Sequence, residues 1–131
     1  MRFCSIASGS SGNCIYVGSD NTHVLVDIGI SGKKMETGLN SLELTGRDLD
    51  GILITHEHSD HIKGLGVISR KYGIPIYATG GTVDAMMRTN ALGKIPEGIF
   101  HEIREDESFM INDLKVNPFT IPHDAAQPVG Y

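Results

Sequence analysis

Residues 51–61 have the sequence GILITHEHSDH, in which a short apolar run leads directly into three histidines and an aspartate. A continuous apolar run of this length is typical of a β-strand that is buried on both faces. His56, His58, Asp60 and His61 therefore follow the end of a buried strand. A histidine-rich polar loop without a ligand is the simpler alternative. Because burying such groups unpaired costs free energy, the pattern favours a metal site.

The spacing of these side chains predicts how they face the site. Residues two apart on an extended segment point the same way, so His56, His58 and Asp60 are expected to face one side. His61 is expected to open a helix and to aim its imidazole elsewhere. Side chains that point in two directions suit two adjacent ions. A mixture of imidazole and carboxylate ligands favours zinc, manganese or iron over calcium or magnesium. Chemistry at such a site also needs an open coordination position for water.

The composition is that of one globular domain. The 131 residues are 40% hydrophobic and 21% charged, which excludes a disordered chain and a membrane protein as classes. The net charge of -5 argues against a surface that is wholly a footprint for nucleic acid, although bound ions supply positive charge locally. Cys4 and Cys14 favour free thiols over a disulfide scaffold. The chain shows no secretory signal and no apolar run near the ~20 residues that cross a bilayer, so we expect a cytoplasmic protein without membrane contact.

Strands and helices are predicted to alternate along the chain. The predicted strands are residues 2–7, 14–17, 22–27, 51–55, 74–78, 99–104, 108–111 and 114–121. Helices are predicted at 33–42 with Ser31 as N-cap, at 60–72 with Gly73 as C-cap, and from Thr79 or Thr82 toward Asn90. Since no linker or repeat interrupts this pattern, we expect a single α/β unit with hairpins at both ends.

Four segments resemble one protein family. The motif His56-x-His58-x-Asp60-His61 after an apolar strand resembles the H-x-H-x-D-H motif of the metallo-β-lactamase-fold hydrolases. Within that family, the chain resembles the YycJ/WalJ exonuclease branch. The segments that carry this resemblance are ASGSSGN at 7–13, LVDIG at 25–29, THEHSDH at 55–61 and PHDAA at 122–126. The resemblance implies an α/β fold, the N-terminal portion of the αββα sandwich, with a mixed sheet and helices packed on one face.

The resemblance also implies a set of metal ligands. His56, His58 and His123 would hold a first divalent ion, and Asp60 and His61 would hold a second. Zinc is favoured and manganese is the alternative. Asp60 would also be the catalytic residue, because it would orient the metal-bound hydroxide that attacks the phosphorus.

Two further positions near this expected site have more than one interpretation. The resemblance implies that Asp27 orients a ligand histidine, but an aspartate that ends a strand and caps a turn fits the sequence equally well. The loop Ser10-Ser11-Gly12-Asn13 either offers backbone N–H groups to a phosphate or only connects two strands tightly.

The resemblance predicts a metal-dependent phosphodiester hydrolase that acts on DNA as a 5′ to 3′ exonuclease. One alternative keeps the fold and the metals but takes a thioester or a lactam as substrate. The other alternative is a catalytically silent fragment that binds a single metal ion.

The family pattern extends beyond this chain. In the family, a bridging aspartate and another histidine follow the third motif, whereas this sequence ends at Tyr131, eight residues after His123. We therefore expect residues 1–131 to form one domain that is truncated at its C-terminus and holds about one ion instead of two. We also expect the exposed inner face of such a half-sandwich to favour self-association.

Overall fold

A computed structural model describes every residue from Met1 to Tyr131. The strands are β1 (Arg2–Ala7), β2 (Cys14–Gly18), β3 (His23–Val26), β4 (Gly51–Leu53), β5 (Ile76–Thr79), β6 (Phe100–Ile103), β7 (Phe109–Ile111), β8 (Leu114–Val116), β9 (Phe119–Thr120) and β10 (Val129–Gly130). The helices are α1 (Gly32–Ser41), α2 (Ser59–Ile62), α3 (Leu65–Tyr72) and α4 (Gly80–Arg88), with a 3-10 turn at Gly46–Asp48.

The first six strands form one mixed sheet in the order β1-β2-β3-β4-β5-β6. β1, β2 and β3 pair antiparallel, whereas β3 to β6 run parallel to one another. In parallel strands the carboxyl ends meet at one edge of the sheet, where open α/β sheets bind their ligands. The ends of β3 and β4 lead directly into Asp27 and the histidine motif, so the predicted site lies at this edge.

The α-helices cover one face of the sheet. Alternate sheet residues such as Leu25 and Ile52 are fully buried in a cluster with Met35 of α1, Leu65 of α3 and Met86 of α4. Since strand residues alternate between faces, one side of each strand supplies this core. The predicted packing of helices on one face is confirmed.

The opposite face carries a smaller apolar cluster. There Val24 and Leu53 pack against Ile111, Leu114 and Val116 of the β7–β8 hairpin. An apolar groove of about 210 Å³ remains beside the hairpin. This face is therefore only partly covered by the 131 residues.

The prediction of one continuous helix over residues 60–72 is wrong, because the structure has two helices, α2 and α3, separated by a break at Gly64. The carbonyl oxygens of Asp60 and His61 accept hydrogen bonds from the backbone N–H groups of Asn13 and Ile28, at 2.8 and 2.9 Å. The Gly64 N–H donates in turn to the Ile28 carbonyl at 2.9 Å. The Lys63 N–H still donates to the Ser59 carbonyl, but the Gly64 N–H bonds outside the helix, so the helical ladder ends at Lys63.

The predicted strand 114–121 is also interrupted. β8 ends at Val116 and pairs with β7, whereas β9 begins at Phe119 and pairs with β10. Pro118 lies between them and has no N–H to donate to a ladder. The helix caps agree with the sequence: Ser31 and Thr79 cap α1 and α4, and Gly73 ends α3 in the left-handed conformation.

No helix of the structure is both long enough and apolar enough to cross a lipid bilayer.

Candidate metal site

Three histidines converge at the carboxyl edge of the sheet. His56 and His58 follow β4, and His123 comes from the loop between β9 and β10. Their ligand nitrogens lie within 4.8 Å of one another, and the Nε2 atoms of His56 and His123 are 2.9 Å apart. The structure thus brings together three residues of the predicted set that are separated by up to 67 positions in sequence.

The protonation of His56 suits a metal ligand. Burial, followed by the neighbouring imidazoles of His61, His123 and His58, lowers the pKa of His56 to about 4. Its ring is therefore neutral at pH 7 and keeps a lone pair on one nitrogen. Metal ions bind histidine in this neutral form.

Hydrogen bonds select which nitrogen of His56 and of His61 faces the site. The Thr55 hydroxyl donates to Asp27 Oδ2 at 2.7 Å and is then free to accept from His56 Nδ1 at 2.9 Å. His61 Nδ1 lies 2.6 Å from the same Asp27 oxygen. Both rings therefore bond through Nδ1 and leave Nε2 toward the site, which is the arrangement that fixes the tautomer of metal-binding histidines.

Asp60 and His61 form a second group beside the three histidines. Asp60 Oδ2 lies 3.5 Å from His61 Nε2, and the ring centres of His56 and His61 are 4.0 Å apart. The expectation that Asp60 shares an extended segment with His56 and His58 is wrong, because α2 begins at Ser59 and Asp60 lies in its first turn. The helix directs Asp60 toward His61 instead.

Asp27 contacts His61 directly and also ends its strand. It is buried, and its carboxylate accepts hydrogen bonds from the Thr55 N–H, the Thr55 hydroxyl and His61 Nδ1. Burial opposes the charged imidazolium, but the hydrogen bond and charge of Asp27 and the charge of Asp60 together raise the pKa of His61. Of the two interpretations of Asp27, the structure gives it the contacts needed to orient a histidine.

The loop before β2 is less open to an anion than its sequence suggests. The N–H of Gly12 donates to the Gly9 carbonyl at 3.2 Å, and the N–H of Asn13 donates to Asp60. The Asn13 side-chain amide lies 3.3 Å from Asp60 Oδ2 and 3.4 Å from His61 Nε2. Gly12 and Asn13 are thus occupied within the chain, whereas Ser10 and Ser11 are exposed.

Thr55 and Asn13 were not predicted to contact the metal-ligand candidates. A threonine before a histidine motif has no distinctive spacing, and its bridging role depends on the approach of β3 to β4. The signal for Asn13 was its loop, for which the sequence left open a phosphate contact or a tight connection between two strands, but not a contact with Asp60.

The donor set fits a divalent transition metal. The three clustered imidazole nitrogens match the number of protein ligands in catalytic zinc sites, which leave a fourth position open for water or substrate. Calcium and magnesium prefer sites built from oxygen atoms. The carboxylate of Asp60 beside His61 adds the mixed ligands that zinc or manganese accepts.

Comparison with known proteins assigns the family. Residues 7–125 match the family model described as the metallo-beta-lactamase superfamily. The chain belongs to this superfamily. The recognition made from the histidine motif is therefore confirmed, as is the mixed sheet with helices.

Two relatives match over the whole chain. The chain is 45% identical to a Bacillus anthracis protein named exodeoxyribonuclease YycJ and 42% identical to a Streptococcus pneumoniae protein named exodeoxyribonuclease WalJ. Each match covers 100% of this chain and 49% of the relative. The chain thus spans about half the length of these curated relatives.

A solved structure shows the same fold at low sequence identity. The Rm3 metallo-beta-lactamase superimposes with a TM-score of 0.78 at 21% identity, covering 97% of this chain and 51% of the other. At this identity the likeness concerns the fold alone.

Proposed function

We propose that this chain supplies metal ligands to a metal-dependent phosphodiester hydrolase that acts on DNA from a 5′ end. The observation that carries the proposal is the convergence of His56, His58 and His123 beside Asp60 and His61. DNA as substrate is supported by the names of the Bacillus anthracis and Streptococcus pneumoniae relatives, which both match the whole chain. Because the chain spans about half of each relative, the activity is proposed for a protein that contains this chain.

The roles of the side chains follow from their positions. Bound divalent ions would supply the Lewis acidity and the activation of water that hydrolysis of a phosphodiester needs. His56, His58 and His123 would hold one ion through imidazole nitrogen, and Asp60 and His61 would contribute to a second. The Asp60 carboxylate would also orient the attacking water molecule. Zinc is the proposed ion, with manganese as the alternative.

The number of ions is proposed to differ between the chain and a longer protein. The 131 residues offer three clustered histidines for one ion but only Asp60 and His61 for another. A catalytic zinc site typically uses three protein ligands. We therefore propose one tightly held ion for residues 1–131.

The loop and the cysteines complete the proposal. The exposed Ser10 and Ser11 are the part of the loop that remains available to a phosphate of the substrate.

Cys4 and Cys14 are free thiols, in keeping with a reducing compartment. The cytoplasm is the compartment that we propose.

The function can be tested in a chimera that joins residues 1–131 to the half of the Bacillus anthracis relative that this chain does not cover. We expect the chimera to degrade 5′-phosphorylated duplex DNA, to lose this activity with a chelator, and to regain it with Zn²⁺ or Mn²⁺. His58→Ala is expected to abolish the activity, and His101→Ala is the matched control on an exposed histidine.

A panel of substrates separates the alternatives. The proposal predicts no hydrolysis of a chromogenic β-lactam or of an acyl thioester by the same preparation. A folded, metal-loaded chimera that leaves DNA intact, or that hydrolyses either of the other substrates faster, contradicts the proposal. The 131-residue chain alone is expected to show negligible nuclease activity.

A further inference from the structure

Glu57 lies between two histidines of the motif but contacts a different part of the chain. Its Oε2 accepts a hydrogen bond from the Ala126 N–H at 3.0 Å. Ala126 belongs to the loop between β9 and β10, three residues after His123. Because alternate residues of an extended segment point to opposite sides, Glu57 is directed away from the cluster formed by His56, His58 and His123.

The second carboxylate oxygen of Glu57 indicates that packing alone does not explain this side chain. Glu57 Oε1 is buried and has no hydrogen-bond partner. A buried polar atom without a partner destabilises the folded state, typically by ~1–3 kcal/mol. An apolar residue at position 57 would avoid this loss of stability. The contact that only a polar side chain can make here is the hydrogen bond to the Ala126 N–H.

The rest of the loop is attached elsewhere. Gln127 Oε1 accepts from the Gly81 N–H at 2.7 Å, and its carbonyl accepts from the Thr79 hydroxyl at 2.8 Å. Its side-chain amide also donates to Glu105. These bonds hold the loop to the start of α4 and to the segment after β6. Glu57 instead joins the loop to the histidine motif itself.

We propose that Glu57 is a positioning residue that sets the place of His123 relative to His56 and His58. The proposal rests on the proposed metal binding by these three histidines. The tie from Glu57 to Ala126 keeps the loop close to the motif, so the three ligand nitrogens are brought together before an ion arrives. Without this tie the loop is still held at Gln127, and Val129 after it still donates to the Thr55 carbonyl, but the part next to His123 loses its bond to the histidine motif, which weakens the site through His123.

The test compares four variants of the 131-residue chain. Glu57→Ala removes the acceptor, and Glu57→Asp keeps the charge but shortens the side chain by one methylene. Glu57→Gln keeps an acceptor oxygen at the same reach. Glu97→Ala is the matched control, because Glu97 is exposed.

The first measurement is made without metal. Amide hydrogen exchange at Ala126, followed by NMR, is expected to accelerate in Glu57→Ala and Glu57→Asp but not in Glu57→Gln or Glu97→Ala. Unchanged exchange at Ala126 in a folded Glu57→Ala or Glu57→Asp chain would overturn the proposal.

The second measurement is the affinity for Zn²⁺ by competitive titration. Replacing an outer residue that orients a metal ligand typically lowers affinity 10–100-fold, and we expect a loss of about 10-fold in Glu57→Ala and Glu57→Asp. Glu57→Gln is expected to restore the affinity. In a His123→Ala background, Glu57→Ala should have no further effect. An equal loss in both backgrounds, or no loss in either, would overturn the positioning role.

Failure of the proposed function gives a different result. If the unaltered chain binds no Zn²⁺, the metal site itself is contradicted, and with it the role of Glu57 toward a metal. Exchange at Ala126 then still reports whether Glu57 fixes the loop.

Discussion

Asp27 has a backbone conformation that few residues other than glycine adopt, with φ at 64°. This conformation turns the chain at the end of β3 and points the carboxylate to the start of the histidine motif. There it binds the backbone and hydroxyl of Thr55 and the ring of His61. Since Thr55 also contacts His56 Nδ1, one buried carboxylate orients two of the proposed ligands.

Asp27→Ala is expected to destabilise the chain by about 2–5 kcal/mol. The variant leaves buried donors without an acceptor, at about 1–3 kcal/mol, and places a Cβ-bearing apolar residue in the left-handed region, at about 1–2 kcal/mol. Urea unfolding monitored by circular dichroism measures the change. Asp27→Asn is the control, because asparagine tolerates this conformation and keeps one acceptor oxygen. Equal stability of Asp27→Ala and the unaltered chain would contradict the account.

The site could be predicted from sequence where the ligands are adjacent, and less well where they depend on tertiary contacts. His56, His58, Asp60 and His61 stand together in one motif, and His123 followed from the resemblance. The path from Asp27 through Thr55 to His56 exists only because β3 and β4 pair side by side. Neither residue type nor spacing in a single sequence reports such a pairing.

At the scale of the elements, α2 is held against two loops by backbone contacts. Gly29 lies so close to this helix that a Cβ atom on it would stand 1.7 Å from the Asp60 carbonyl oxygen and 2.7 Å from the Asn13 nitrogen. The Gly29 N–H also donates to the Asn13 carbonyl at 2.8 Å. Glycine is required here by close approach, since any side chain would displace the segment that carries Asp60.

Gly29→Ala is therefore expected to destabilise the chain by about 1–3 kcal/mol or more, as overpacked sites do. Thermal unfolding followed by circular dichroism measures it. Gly73→Ala is the comparison, because Gly73 has a positive φ of 65° but no atom near its missing Cβ. We expect Gly29→Ala to be the more destabilised variant, and the reverse order would contradict the role of close packing.

The β7–β8 hairpin is tied to the sheet by Asp113. Its carboxylate accepts hydrogen bonds from the hydroxyls of Ser19 and Thr22, which belong to the turn between β2 and β3. The bonds from Thr22 and then Ser19 hold the pKa of Asp113 below its usual value of 3.8. A depressed pKa in the folded state means that the ionised carboxylate stabilises the fold.

The stabilisation by the ionised carboxylate is expected to be complete above the usual pKa of 3.8 and to be lost as the pH falls through the lower pKa of the folded state. Asp113→Asn should thus be less stable than the unaltered chain near pH 6, and the difference should shrink below about pH 4. Urea unfolding at a series of pH values gives both curves. A difference that is constant with pH, or that grows on acidification, would contradict this assignment.

Elements with a strong local pattern were predictable, and interrupted ones were not. Helix α1 begins at the predicted N-cap Ser31, α4 is capped by Thr79, one of the two predicted starts, and Gly73 ends α3. The break at Gly64 escaped prediction, because the apolar spacing continues across it while backbone groups of Asp60, His61 and Gly64 bond to other segments.

For the whole molecule, the face of the sheet opposite the helices is the least complete feature. Its apolar groove is lined by side chains that include Val17, Val26 and Tyr131. Exposed apolar surface of this kind favours association. The self-association expected from the sequence therefore stays a prediction for the 131-residue chain.

Val17→Glu is expected to shift the isolated chain toward the monomer, because a charged side chain in the groove opposes its burial in an interface. Sedimentation velocity over a range of concentrations measures the change. Val67→Glu is the matched control, since Val67 is 53% exposed on the helical side. An unaltered chain that is monomeric at every concentration would contradict self-association through this face.

The metal content of the purified chain decides whether His56, His58 and His123 form a metal site. Zn²⁺ titration with elemental analysis should find one tightly held ion per chain, with the affinity lost in His56→Ala, His58→Ala and His123→Ala and retained in His101→Ala. Two tightly held ions per chain, no tightly held ion, or affinity that survives the loss of these three histidines would contradict the account.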